Sequence, residues 1–315
     1  MNSLAGVDEA GLGPILGPLV VAGVAMTGPA GADPYALLAR TVSRTGHAAG
    51  KVRVADSKKV HQGPRGLAHL ERTALAFLGA WRGEVPGSLA AVLELAGADR
   101  ARLARCPWYR DLDRPLPLAN DRRQLELQSH LLARDLAEHE VCVQHIALRP
   151  VDVEEFNEKL DRTANKGTAH FETYAEVLLT LLNLLPPGAH LVADRCGGRM
   201  RYGGALRRLC PGVRVEVEHE TALTSSYRIH RADPPLRLTF ATQGEDRAFP
   251  TALASCMAKY LRELMVERLN AWFGARLPGL RPTAGYYVDG QRFLADVEPV
   301  VRAEGLARRL LLRSR

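Results

Sequence analysis

Asp8 and Glu9 are adjacent carboxylates at the end of a short apolar run. The stretch that follows them is broken up by Gly11, Gly13, Pro14, Gly17 and Pro18. A second apolar run, residues 19–26, comes next. The pattern reads as two strands joined by a glycine-rich turn, with the acids at the turn. Neighbouring side chains on a strand face opposite sides, so both acids can address one point only where the strand ends. The glycines supply that ending, and glycine lets a backbone approach a ligand closely. Asp194 repeats the arrangement: it ends an apolar strand, residues 189–193, and two glycines follow it at 197 and 198. Ligand sites in α/β sheets often lie at strand ends. Carboxylates gathered in this way raise one another's pKa. Hard divalent cations relieve the repulsion, and an all-oxygen site suits Mg²⁺ or Mn²⁺. No His or Cys cluster argues for zinc.

The elements that must position these acids follow from periodicity. Helices are expected at residues 34–44, 67–78, 120–140 and 168–185, the third with Leu125, Leu127, Leu131, Leu132 and Leu136 as its apolar face. Residues 141–148 alternate as a strand. The run after Pro150, VDVEEFN, is a helix start with acids in its first turn. Further strands are expected at 213–219, 225–230 and 236–241, then a long amphipathic helix from Phe249, with Pro250 in its first turn. A helix follows at 290–302, and the basic tail GLARRLLLRSR reads as helical. Residues 81–119, with Pro86, Pro107, Pro115, Pro117, Trp108 and Tyr109, read as an insertion whose aromatics pack within their own loop. Arginines 102, 105, 110 and 114 leave base stacking as the alternative for those aromatics.

The chain has 315 residues, 46% of them hydrophobic, enough for a real core. No apolar run reaches the roughly 18 residues of a membrane helix, and no signal peptide is visible. Five scattered cysteines without a CxxC pair give neither a disulfide framework nor structural zinc. A cytoplasmic monomer is the expectation. Lys plus Arg exceed Asp plus Glu by 42 to 35, a net charge of +7, which favours a polyanionic partner.

The stretch DEAGLGPILGPLVVAG resembles the DEAGRGPxAGPVVVA signature that opens the type 2 ribonucleases H (ribonuclease HII). Leu12 stands where that family usually has arginine between the two glycines. Other motifs follow in the family's order. ADSKKV, with Ser57, Lys58 and Lys59, resembles an element that contacts the nucleic-acid backbone; a plain solvated lysine pair is the alternative. Ala193-Asp194 resembles VDG, although Arg195 intervenes before the glycines. GEDRAFPTALASCMAKYLRELM resembles GDxxxPxxxAASIxAKVxRD. The family's acid lies ten residues before the helix serine, which from Ser255 selects Glu245, with Asp246 one residue off. Gly285-Tyr286 resembles a GY pair whose tyrosine packs on the sugar at the RNA–DNA junction.

The resemblance implies a ribonuclease H-like fold: an α/β protein whose mixed five-stranded sheet is flanked by helices, here with insertions and a C-terminal helical part. It places the catalytic domain at residues 1–273, with the insertion at about 81–119, and the helical part carrying the GY motif at 274–315. Asp8, Glu9, Asp194 and Glu245 are the implied catalytic acids and ligands to two Mg²⁺ or Mn²⁺ ions. Gly11, Leu12, Gly13, Ser57, Lys58, Lys59 and Tyr286 are the implied substrate contacts. Two ions ~3.5–4 Å apart clamp the attacking and leaving oxygens of phosphodiester hydrolysis. The implied function is an endonuclease that hydrolyses the RNA strand of RNA–DNA hybrids, or ribonucleotides embedded in duplex DNA. The 2′-OH must then be read, by the backbone of the 11–13 turn and by Tyr286. A nucleic-acid-binding protein on this fold with altered or lost catalysis is the alternative. Leucine cannot make the charged contact of the family's arginine, so continuous hybrid is expected to be cut at least as well as a single ribonucleotide, unless Arg195 or Arg199 supplies the missing charge.

Overall fold

The computed structural model describes residues 2–46 and 50–314. Nine strands are described: β1 Asn2–Ala10, β2 Leu19–Gly28, β3 Val42–Ser43, β4 Val52–Arg53, β5 Cys142–Val151, β6 His190–Asp194, β7 Arg214–Glu220, β8 Thr224–His230 and β9 Leu236–Ala241. The helices, in chain order, are α1 Pro34–Leu37, α2 Ser57–Val60, α3 Gly66–Arg82, α4 Leu89–Leu95, α5 Arg100–Leu103, α6 Arg122–Glu138, α7 Val153–Thr163, α8 Lys166–Leu184, α9 Gly203–Leu209, α10 Gly244–Arg247, α11 Phe249–Gly274 and α12 Tyr287–Ala303.

Seven strands form one sheet in the order β5-β2-β1-β6-β9-β8-β7, and β3 and β4 form a separate parallel pair. β5, β2 and β1 are successively antiparallel, whereas β1, β6 and β9 are parallel. Those five reproduce the mixed sheet that the resemblance implies. The β7–β8 hairpin continues it antiparallel beyond β9, so the sheet is wider than the five strands expected. The alternation of helix and strand is what an α/β layer architecture requires.

Each face of the sheet carries its own core. α3, α6, α11 and α12 close one face, with Phe77, Phe249, Phe273 and Phe293 buried among them. α7, α8 and α9 close the other, where Tyr202 stacks on Phe240 with ring centroids 3.7 Å apart. β1 and β2 are buried on both faces and therefore read as apolar runs instead of alternating.

Several local expectations are corrected. α1 stops at Leu37, far short of residue 44. On α6 the buried apolar residues are Leu125, Leu132 and Leu136, while Leu127 and Leu131 are 60% and 44% exposed. The inward stripe is narrower because the flanking positions look into solvent. The 81–119 stretch is ordered by α4, α5 and a 3₁₀ turn at Pro107–Tyr109. Its Trp108 packs edge-on against Tyr109 of its own stretch, with ring centroids 6.1 Å apart, and also reaches out of it: its ring lies 6.0 Å from Trp272 and 5.8 Å from Phe273 at the end of α11. The arginines near it are engaged with carboxylates. Arg102 and Arg105 pair with Asp152, Glu154 and Glu158 around the acidic first turn of α7, and Arg114 pairs with Glu267. The tail is not helical beyond the 3₁₀ turn Arg308–Leu310; it runs extended, and Leu312 bridges Leu16.

Gly6 fixes how closely α11 meets the sheet. A Cβ on Gly6 would fall 2.1 Å from the Thr251 backbone nitrogen, a contact with backbone that cannot give way. Gly6→Ala should therefore destabilise the protein by about 1–3 kcal/mol or more, as overpacking does in tight cores. Denaturant unfolding measures it, and an unchanged midpoint would show that α11 does not rest on β1 this closely.

Candidate active site

β1 is held on both sides up to Val7, which pairs with Ala193 of β6. Beyond it, Asp8, Glu9 and Ala10 remain paired with β2 alone. The acids were expected where the strand ends. Instead the strand continues on the β2 side and ends only on the β6 side, which opens the space the acids use. Asp8 shares the strand face of Gly6 and so faces α11; Glu9 shares the face of Val7 and faces α8. Asp194 closes the adjacent parallel strand. One carboxylate oxygen from each of Asp8, Glu9 and Asp194 lies within 4.8 Å of the others, although Asp8 and Glu9 leave the strand on opposite faces.

Short polar contacts fix each acid. Asp8 Oδ1 accepts the Glu9 N–H at 2.7 Å. Asp194 Oδ1 accepts the Gly244 N–H at 2.9 Å. The Tyr174 hydroxyl, buried on α8, lies 2.7 Å from the Val7 carbonyl and 3.0 Å from that of Asp194, tying the two strand ends together. Burial pushes Asp194 up to about 7, with the charges of Glu245 and Glu9 adding to it. Asp8 is raised well above its ordinary value by burial first, then by Glu9 and Asp194.

Glu245 stands in the first turn of α10, next to Gly244. Burial raises its pKa too, and its charge contributes to the shifts of both Asp8 and Asp194. Its Oε2 is buried without a hydrogen-bond partner, as is Oε2 of Glu9. Asp246 is otherwise engaged: both its oxygens lie within 3.0 Å of Lys59 Nζ, and Arg44 is 3.8 Å away. Orphaned carboxylate oxygens facing a cluster of acids are what a divalent cation with oxygen ligands would satisfy. The residues fit such an ion.

The expected substrate contacts surround this point unevenly. Lys58 is opposed by burial, but the carboxylates of Asp56, Glu245, Asp8 and Asp194 raise its pKa, which places its ammonium in their field. Lys59 turns to Asp246, and Ser57 is buried, its N–H 3.3 Å from the Ser255 hydroxyl. Gly13 is exposed and lies beside the ring of Tyr286: a Cβ on it would sit 4.0 Å from Tyr286 Cε1. Tyr286 itself is 54% exposed, free to present its ring. Leu12 is half-buried against the core under α8 and borders a pocket of about 360 Å³ shared with His170, Gly198 and Arg199. Arg195 donates to the carbonyls of Thr221 and Ala222, and Arg199 lies over the Phe171 ring.

Sequence reasoning missed the residues that brace the glycine-rich turn. Arg313, buried at the end of the chain, donates to the carbonyls of Gly11 and Gly17. Arg262 of α11 packs where a Gly11 side chain would be and donates to the Ala284 carbonyl. Gly285 O accepts from Ile15 and Leu16. Asn157 of α7 holds the tail through the carbonyls of Arg309 and Leu312 and the N–H of Ser314. The alternating burial of residues 310–313 marks an extended run, but a basic tail offers no sign of what it packs against. His170 was missed as well: it is 2% exposed and sits on α8 beside Glu9.

A carboxyl whose pKa is raised on folding binds its proton more tightly in the folded chain, so stability falls as pH rises from the unfolded value through the folded one. For Asp194 that window runs from 3.8 to about 7. Asp8→Asn removes one charge from the cluster and keeps the oxygen that accepts the Glu9 N–H. In chelator, the variant should gain on the wild type as pH rises from about 4 to about 8. Relief of about 1 kcal/mol corresponds to roughly 1–2 °C in Tm for a chain of this length. Thermal scans across that range measure it; a variant that melts lower than the wild type at the alkaline end would show that the acids do not repel one another.

No family model and no curated relative matches the chain. Among solved structures it is similar to ribonuclease HII of Archaeoglobus fulgidus, seen in a complex with PCNA, at 18% identity over 99% of this chain and 94% of that one, with a TM-score of 0.44. It is similar to Bst-RNase HIII in complex with Mn²⁺ at 15% identity over 99% of this chain and 66% of that one, TM-score 0.44. Ribonuclease H2 of Pyrococcus horikoshii OT3 is matched at 15% identity over 98% and 92%, TM-score 0.42. The order and direction of β5, β2, β1, β6 and β9 give the chain a ribonuclease H-like fold.

Proposed function

We propose that the chain is a divalent-metal-dependent endonuclease of ribonuclease H type, which hydrolyses the RNA strand of RNA–DNA hybrids or ribonucleotides embedded in duplex DNA. The observation that supports it most is the meeting of Asp8, Glu9 and Asp194 within 4.8 Å at the ends of two adjacent parallel strands. No lysine or arginine forms an ion pair with any of the three among the described residues. Glu245, with its orphaned oxygen, completes the ligand set on the α10 side.

Two Mg²⁺ or Mn²⁺ ions, when bound by these acids, supply an activated water and charge stabilisation at the departing 3′-oxygen. The protein's own groups bind and orient the substrate around them. Lys58, in the field of Glu245, Asp8 and Asp194, attracts the phosphate next to the scissile one. Gly13 has no side chain and lets a sugar come against the turn backbone, while the Tyr286 ring beside it offers a flat apolar surface to that sugar. Together they are the reader of the 2′-OH. Arg313 and Gly285 hold the turn from within, so its amides stay aimed outward. Leu12 leaves the junction phosphate without the charge that arginine gives the family.

The test is a cleavage assay with each metal on three duplexes: all DNA, continuous RNA–DNA hybrid, and DNA with one ribonucleotide. Cleavage of RNA-containing duplexes alone is expected, with continuous hybrid cut at least as well as the single ribonucleotide. Asp8→Asn should lower the rate by roughly 10²–10³-fold or more, the scale of removing one preorganised electrostatic element. Glu245→Gln should cost far more than Asp246→Asn. Cleavage of all-DNA duplex, or a fully active Asp8→Asn, would sink the reading. Leu12→Arg should shift preference toward the single ribonucleotide; no shift would mean that position 12 does not set it.

A further inference from the structure

His170 is buried to 2% exposure on the first turns of α8, in a site otherwise made of carboxylates. Its Nε2 lies 3.4 Å from Glu9 Oε1. The contact is not a hydrogen bond: Nε2 has no hydrogen-bond partner, and neither has Glu9 Oε2. Two buried polar atoms therefore face one another's side chains unsatisfied, at the edge of the cluster where Asp8 and Asp194 join Glu9. A buried orphan of this kind calls for an explanation in a missing partner. Cis ligands of an octahedral ion with bonds of roughly 2.1 Å stand about 3 Å apart, close to the separation of Nε2 and Oε1. Imidazole is a ligand for transition metals, whereas Mg²⁺ is held by oxygen.

We propose that His170 is a nitrogen ligand to a divalent transition-metal ion shared with Glu9, on the α8 side of the carboxylate site. This rests on the proposed function, in that the carboxylates are the ion-binding groups. It adds a consequence for metal choice: an O-only site treats Mg²⁺ and Mn²⁺ as similar hard cations, but an imidazole in the coordination sphere raises affinity for Mn²⁺ and for the later metals above it, and does little for Mg²⁺. An imidazole also adds a ligand without adding negative charge to that of Asp8, Glu9, Asp194 and Glu245.

The readout is spectroscopic and needs no turnover. The full chain is loaded with Mn²⁺, affinity is read from the loss of the free-ion EPR signal, and ¹⁴N coupling is read by electron spin-echo envelope modulation. The wild type should show the modulation of a directly coordinated imidazole. His170→Gln should abolish it with Mn²⁺ still bound, and should lower the ratio of Mn²⁺ to Mg²⁺ affinity by roughly tenfold or more, the scale on which ligand-sphere changes act. Mn²⁺ bound in an Asp8-dependent way but without ¹⁴N coupling in the wild type overturns the His170 assignment and leaves the carboxylate site standing. Mn²⁺ binding unaffected by Asp8→Asn overturns the proposed function itself. Because the decisive spectrum is that of the wild type, misfolding of the variant does not protect the proposal; His170→Ala provides the second substitution.

Discussion

Three carboxylates in one partly dry place, with no lysine or arginine paired to them among the described residues, are the constraint around which this chain is organised. Like charges at that spacing resist ionisation, and burial compounds the resistance: Asp8 and Asp194 are both held above their ordinary range. Most acid clusters on this protein are neutralised internally. Arg102 and Arg105 answer the acidic start of α7, and Arg40 answers Asp135. The cluster at the ends of β1 and β6 is the exception among the described residues, and Lys58 lies in the field of Asp8 and Asp194.

The scaffold meets that constraint by rigidity. Parallel pairing of β1 with β6 sets the spacing of Asp8 and Asp194, and the Tyr174 hydroxyl locks the two strand ends. Close approach of α11 over Gly6 carries Ser255 toward Asp8 on one face. α8 brings His170 to Glu9 on the other. The acids thus sit in the seam between two independent cores, one per face of the sheet. A change of packing in either core shifts one wall of the site against the other.

Much of this was legible in the sequence because it is local. The apolar runs before Asp8 and Asp194, the glycines after them and the Pro250 helix start are short-range signals that fold as they read. The ten-residue spacing to Ser255 points to Glu245 over Asp246, and in the structure Asp246 pairs with Lys59. What could not be read was long-range. Nothing near Trp108 announces Trp272 and Phe273, and nothing near Lys59 announces Asp246. Leu127 and Leu131 continue a helical stripe in sequence yet face solvent, since the width of a buried stripe is decided by the partner element. His170 and Arg313 are single polar residues whose roles depend on what tertiary packing brings to them.

The clamp of Arg313 ties the glycine-rich turn to a segment far from it in sequence. Its hydrogen bonds to Gly11 and Gly17 span 302 and 296 residues. Contacts of such separation form after local structure, because the loop they close carries the largest entropic cost. The turn beside the carboxylate cluster is therefore fixed only once packing of distant segments has brought Arg313 to it.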